Sequence, residues 1–158
     1  HDQLTGLFNR TAYAEYTGSS NFKPEGHIIV MFDLNNLKQC NDSLGHDHGD
    51  SYIIESAGLI KKTFGGFGNC YRMGGDEFCA LLHGISIDKC RDCIKSFKRL
   101  LADYNAAHPD SFPLQIACGC EMYNSDEDYD IGDTLRRADK MMYHEKFAMK
   151  KLKNETVR

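Results

Sequence analysis

The run Arg72-Met73-Gly74-Gly75-Asp76-Glu77-Phe78 sets two glycines and two carboxylates between two short apolar-leaning segments. A Gly-Gly pair between such segments, here 69 to 73 and 77 to 83, predicts a β-hairpin. Glycine tolerates the positive φ of a tight turn and lets a ligand approach the backbone. The two acids at the tip are candidate metal ligands. Taken alone, the four residues fit an ordinary solvated turn better, because turn residues are usually only turn residues.

A second acidic position changes that balance. His27-Ile28-Ile29-Val30-Met31-Phe32-Asp33 is an apolar, β-branched run ending on a carboxylate, and a helical pattern follows from Leu34-Asn35-Asn36-Leu37. Asp33 therefore belongs at the carboxyl end of a strand, where α/β sheets bind ligands, and the amides that open the next helix, near Asn36 and Leu37, suit a phosphate. A calcium loop is excluded, because Leu37 stands where the third oxygen ligand belongs and no glycine follows it. If strand and hairpin are neighbours, Asp33 and Asp76 converge. Two unit charges about 4 Å apart repel by roughly 4 kcal/mol at an effective dielectric near 20, so the pair calls for a cation. Oxygen-only ligands beside a phosphate point to Mg2+ or Mn2+.

These residues carry a family resemblance. Gly74-Gly75-Asp76-Glu77-Phe78 spells GGDEF, and the chain resembles the catalytic domain of the GGDEF-type diguanylate cyclases along its whole length. His1-Asp2-Gln3-Leu4-Thr5-Gly6-Leu7-Phe8-Asn9-Arg10 is similar to the family's opening signature. Phe32 to Lys38, Asn41-Asp42, Gly45-His46 and Gly49-Asp50 follow its metal and nucleotide segment, and Ala138 to Tyr143 its closing helix.

The resemblance implies condensation of two GTP into cyclic di-GMP with release of two pyrophosphates, at a homodimer interface where each domain presents one nucleotide. It implies that Asp33, the Leu34 carbonyl and Asp76 hold the metal, with Asp76 and Glu77 catalytic. Successive strand residues alternate faces, so the direct role falls to Asp76 before Glu77. Asn36, Leu37, Gly74 and Gly75 surround the phosphates. Asn41 and Asp50 match the base-reading pair, since a carboxylate accepts from the N1–H and exocyclic amine of guanine. Asp50 read without the family is a helix N-terminal acid favoured by the macrodipole. His46 matches a position near the substrate. Lys146 and Lys150, one helical turn apart, match two phosphate-binding basic positions.

Two departures stand out. After Tyr143 the family continues Ala-Lys and then Gly-Arg-Asn, whereas this chain reads His144-Glu145-Lys146-Phe147-Ala148-Met149-Lys150-Lys151. Lysine lacks arginine's bidentate fork, which keeps open a weak or inactive GTP-binding regulatory module, and a purely structural adaptor is the third possibility. Gly65-Gly66-Phe67-Gly68 stands where many relatives carry an Arg-x-x-Asp product-inhibition site, so no inhibition through that site is expected.

The elements that must position these groups read as β-α-α-β-β-α-β-α after a leading helix. Ile53, Ala57, Ile60 and Phe64 lie at helical spacing, as do Ile94, Phe97, Leu101 and Tyr104, and Ile131, Leu135, Ala138 and Met142. Strands are expected at 28 to 33, in the hairpin, and at 114 to 118. Linker-like stretches lie at 65 to 68, 108 to 113 and 124 to 129. The expected fold is α/β in content and α+β in arrangement, with a mixed, mainly antiparallel sheet and flanking helices. The resemblance makes it palm-like, as in nucleotidyl cyclases.

A chain of 158 residues with 41% apolar content reads as one domain, and a net charge of −4 argues against a nucleic-acid surface. The longest apolar run, 28 to 32, is far short of the ~20 residues that span a bilayer, so no membrane contact is expected of this domain. The expectation is a cytoplasmic module from a longer sensor protein, its upstream sensor region lying outside this sequence. Seven scattered cysteines, with Cys40, Cys70, Cys79 and Cys118 in strand or buried-helix segments, read as buried thiols in a reducing compartment. Cys90 and Cys93 have the spacing of half a zinc site without a matching second half.

Overall fold

The computed structural model describes residues 1–157. Strands β1 (Phe8–Asn9), β2 (His27–Leu34), β3 (Gly68–Arg72), β4 (Glu77–His83) and β5 (Ile116–Met122) form a sheet in the order β1-β3-β4-β2-β5. The short β1–β3 pair is parallel and the others are antiparallel, so the sheet is mixed and mainly antiparallel as expected. The helices are α1 (Arg10–Gly18), α2 (Leu37–Leu44), α3 (His46–Phe64), α4 (Ile87–Ala107) and α5 (Ile131–Val157). None of the described helices is long and apolar enough to cross a membrane.

Every residue of β2 is buried, because helices cover both faces of the sheet. Ile28, Val30, Phe32 and Leu34 share one core with α3 and α4, where Phe32, Phe64 and Phe97 meet edge-on or tilted with ring centres 5.3 to 5.8 Å apart. Ile29 and Met31 face the other way, into a second core with Tyr13 of α1 and Ile131, Ala138 and Met142 of α5. Alternation is thus present in β2 but hidden, since both of its faces are apolar. The expected helical stripes lie on these cores, and Cys40, Cys70, Cys79, Cys90, Cys93 and Cys118 are buried free thiols.

The short β1 was not expected, β2 and β3 differ from expectation by a residue at each end, and the largest difference is at β5. β5 begins at Ile116 rather than Leu114, because the Leu114 backbone pairs with the Asn105 amide (2.8 and 2.9 Å) and the Gln115 amide donates to the Tyr52 hydroxyl (3.0 Å). It continues through Gly119, Cys120 and Glu121 to Met122, residues whose composition does not read as a strand. A further loop, 19–26, joins α1 to β2 and was not among the expected linkers.

The loop before α5 is fixed by an ion pair between the buried Asp128 and the half-buried Arg137. Arg137 donates to both Asp128 carboxylate oxygens (2.9 and 2.7 Å), to Glu121 (2.7 Å) and to the Met122 carbonyl (2.8 Å). The Arg137 hydrogen bonds hold the Asp128 carboxyl down at about 2, with help from the Asn124 amide and the Thr134 hydroxyl. A depressed folded-state pKa stabilises above the ordinary carboxylate value, and that stability is lost as pH falls toward 2. Asp128→Asn is expected to cost about 3 kcal/mol near neutral pH, because it leaves a partly buried guanidinium without its main partner. Urea unfolding at several pH values checks this: the wild type's advantage should shrink between pH 4 and 2, and a constant gap would count against the pair.

Candidate active site

Asp33 is the penultimate residue of β2 and is buried. It lies directly opposite Glu77 in the β2–β4 register, which puts both side chains on one face. Asp76 precedes Glu77 at the hairpin tip, and its carbonyl accepts from the Leu34 amide (2.9 Å). Asp33 Oδ2 accepts from Lys146 Nζ of α5 (2.6 Å), whereas Oδ1 is buried with no hydrogen-bond partner. Burial pushes the Asp33 carboxyl above its ordinary value, and the Asp76 charge adds to this against the pull of Lys146. Burial, with the charges of Asp139, Asp76 and Asp33, likewise raises Glu77. The Lys146 ammonium is held charged more strongly than usual, chiefly by its bond to Asp33.

The result is a patch of carboxylates that repel one another, with the Lys146 ammonium as counter-charge at Asp33 and the Arg10 guanidinium at Glu77. Among the described residues, no three His, Cys, Asp or Glu side chains are grouped to hold a metal ion. The chemistry of the patch nonetheless fits a hard divalent cation: its donors are oxygens, and one buried carboxylate oxygen has nothing else to bind.

Beside the patch opens a cleft of ≈ 480 Å³. Leu34, Asn36, Leu37, Asp76, Lys146 and Lys150 line it together, from β2, α2, the hairpin and α5; Lys38, Gln39 and Asp42 complete the wall. Asn36, at φ 65°, turns the chain out of the strand and into α2 without capping it by a side-chain hydrogen bond. The first amides of α2 therefore keep their donors for a ligand.

The remaining expected residues are not in the wall of this cleft. Asn41 is half-buried on α2, while His46 and Asp50 are exposed on α3. The first-turn acid of α3 is Asp47, so the helix-dipole reading of Asp50 is corrected. Gly74 and Gly75 form the turn but neither has a positive φ, so the expectation that the turn needs left-handed backbone is also corrected. Nothing lies within 4 Å of where a Gly75 side chain would start, which leaves open space at the tip.

Two contributors were missed. Arg72 donates to the Gly74 carbonyl (3.2 Å), to the Gly75 carbonyl (3.0 Å) and to Asp2 (3.2 Å), bracing the turn against the amino-terminal segment. Its adjacency to the glycines was the available signal. Gly49 is buried against the Asn41 amide, and a Cβ there would lie 1.6 Å from Asn41 Oδ1. Its helical position, eight residues after Asn41, gave no hint of that contact.

A five-stranded mixed sheet with helices on both faces and acids at a hairpin tip defines a palm-like domain. Its fold matches the GGDEF domain of DgcB from Caulobacter crescentus, solved with c-di-GMP, at a TM-score of 0.80 and 21% identity over 93% of this chain and 90% of that one. The family profile described as "Diguanylate cyclase, GGDEF domain" matches residues 1–152, and the chain belongs to that family. Among named relatives, the biofilm architecture maintenance protein MbaA of Vibrio cholerae is 34% identical over 95% of this chain and 20% of its own length. Diguanylate cyclase DgcS of Shewanella oneidensis is 26% identical over 92% of this chain and 49% of its own. The chain thus spans less than half the length of either relative.

Proposed function

We propose that this domain is a metal-dependent diguanylate cyclase that condenses two GTP into cyclic di-GMP. The observation that carries the reading is the proximity of Asp33 and Asp76, with Glu77 opposite Asp33 in the register, beside a cleft that also holds Lys146, Lys150 and the uncapped start of α2. Carboxylates and phosphate-binding groups side by side suit a cation and a triphosphate, which neither group would hold alone. Asp33 and Asp76, with the Leu34 carbonyl, would hold Mg2+ or Mn2+. Such an ion polarises the α-phosphate and lowers the pKa of the attacking hydroxyl.

Lys146 and Lys150 neutralise the triphosphate, and Lys146 has two anionic partners within its reach, the Asp33 carboxylate and the nucleotide. Asn41 and Asp50 would read guanine, with His46 a further candidate substrate contact. In each half-reaction a 3′-hydroxyl oxygen bonds to the α-phosphorus, the bond to the pyrophosphate oxygen breaks, and the hydroxyl proton leaves to solvent. Closing the ring requires two such transfers in opposite senses, so two domains must face each other as a homodimer. The parent protein is proposed to be cytoplasmic at this domain and to carry an upstream sensor region.

A GTP-binding regulatory module is the second reading, favoured by lysines at both basic positions of α5 and by the bond that ties Lys146 to Asp33. Incubation with GTP and Mg2+ followed by chromatography decides between them, run at high protein concentration so that dimers form. Cyclic dinucleotide supports the cyclase, whereas GTP bound without conversion supports the regulatory module.

The Gly49 contact adds a sharper expectation. Gly49→Ala drives the Asn41 amide out of its place, so the guanine edge loses a partner, at about 1–3 kcal/mol. The KM for GTP should rise about tenfold with little change in kcat or thermal midpoint. An unchanged KM would remove Asn41 from base recognition.

A further inference from the structure

The same two strands that carry the acids at one end carry a pair of histidines at the other. His27 opens β2 and His83 closes β4, and the two are direct partners in the antiparallel register. Such partners share a face, with Cβ atoms about 4.5–5.5 Å apart. Their rings lie 4.6 Å apart, centre to centre, at 43°. Two imidazoles bound through nitrogens ~2.1 Å from one tetrahedral ion have ring centres roughly 5 Å apart, so the spacing of this pair matches that of a chelate.

Three further features prepare the site. His27 is 8% exposed, and its Nδ1 faces the Pro24 carbonyl at 3.3 Å. A carbonyl only accepts, so Nδ1 carries the proton and Nε2 keeps a bare lone pair; this outer-shell arrangement orients metal-binding histidines generally. Gly26 has no side chain, and a Cβ there would lie 3.2 Å from His83 Nε2, so the glycine leaves room beside that nitrogen. Both rings border an open cleft of ≈ 370 Å³ where Ser19 and Asn21 supply oxygens, with Lys23 on its wall.

We propose that His27 and His83 form a two-nitrogen site for a borderline first-row divalent ion such as Zn2+, Cu2+ or Ni2+. Paired imidazoles select these ions over Mg2+, which prefers oxygen and keeps its water. Six residue steps along β2 separate His27 from Asp33, roughly 20 Å, so the site is distinct from the acidic patch. Water, Ser19 or Asn21 completes the coordination.

The test is calorimetric titration of Zn2+ into the full chain with Mg2+ in excess, so that oxygen sites are already filled. One equivalent should bind at micromolar concentration. His83 is exposed, so His83→Asn should keep the fold and its circular dichroism while weakening Zn2+ binding by tenfold or more. That loss is at least the ~10–100-fold typical of removing an outer-shell partner. Cys120→Ser, at a partly exposed thiol, should leave the affinity unchanged. With Cu2+ in place of Zn2+, electron paramagnetic resonance should report two nitrogen ligands in the wild type and one in His83→Asn. Absence of uptake by the wild type, equal affinity in His83→Asn, or loss of binding in Cys120→Ser would each overturn the proposal.

Discussion

Replacing Asp76 with alanine is expected to reduce cyclic di-GMP formation about a thousandfold or more while the domain stays folded. The proposed reaction depends on a divalent ion beside the α-phosphate, and losing an anionic ligand there removes several kcal/mol of transition-state stabilisation. Stability should not follow activity. The bond between the Asp76 carbonyl and the Leu34 amide belongs to the main chain and survives the change. The Asp76 charge also raises the carboxyls of both Asp33 and Glu77, so its removal relieves repulsion in the metal-free protein. The paired measurement is product formed from GTP and the urea midpoint, with and without Mg2+. The variant should match or exceed the wild-type midpoint without Mg2+ and gain less when the ion is added. Undiminished product from Asp76→Ala would sink the site assignment.

Gly119→Ala is expected to destabilise the domain's second core severely. A Cβ at Gly119 of β5 would lie 2.2 Å from the Met142 amide nitrogen and 2.4 Å from the Ala138 carbonyl oxygen of α5. Both are backbone atoms, so no side-chain rotation relieves the overlap, and the helix must lift from the sheet. Overpacking of this kind costs about 3 kcal/mol, a large part of the ~5–15 kcal/mol that holds a domain together. Because α5 also carries Lys146 and Lys150, the displacement should reach the cleft and weaken GTP binding together with stability. A urea midpoint within error of the wild type would show that α5 does not depend on this close approach.

Much of the framework was legible because its signals are local. The hairpin is an apolar run, a glycine pair and a second apolar run, and β2 is a β-branched run ending on an acid. β5 was shifted because the features that define it are tertiary: Tyr52 and Asn105 take over the backbone groups at Leu114 and Gln115, and Gly119 is there for a close approach of α5 that the local pattern does not reveal. The acids were legible as candidates, yet the Lys146–Asp33 bond joins residues 113 positions apart and depends on how α5 crosses the sheet. The Gly49–Asn41 contact depends in the same way on the angle between α2 and α3. Gly74 and Gly75 suggested a left-handed turn by residue type, but the chain closes the hairpin without one and leaves the tip uncrowded.

Arg72 binds Asp2 with one end of its guanidinium and the carbonyls of Gly74 and Gly75 with the others. The opening residues and the hairpin turn are therefore mechanically linked through one rigid planar group. A shift of the residue-2 strap by an ångström is also a shift in the anchor of the loop.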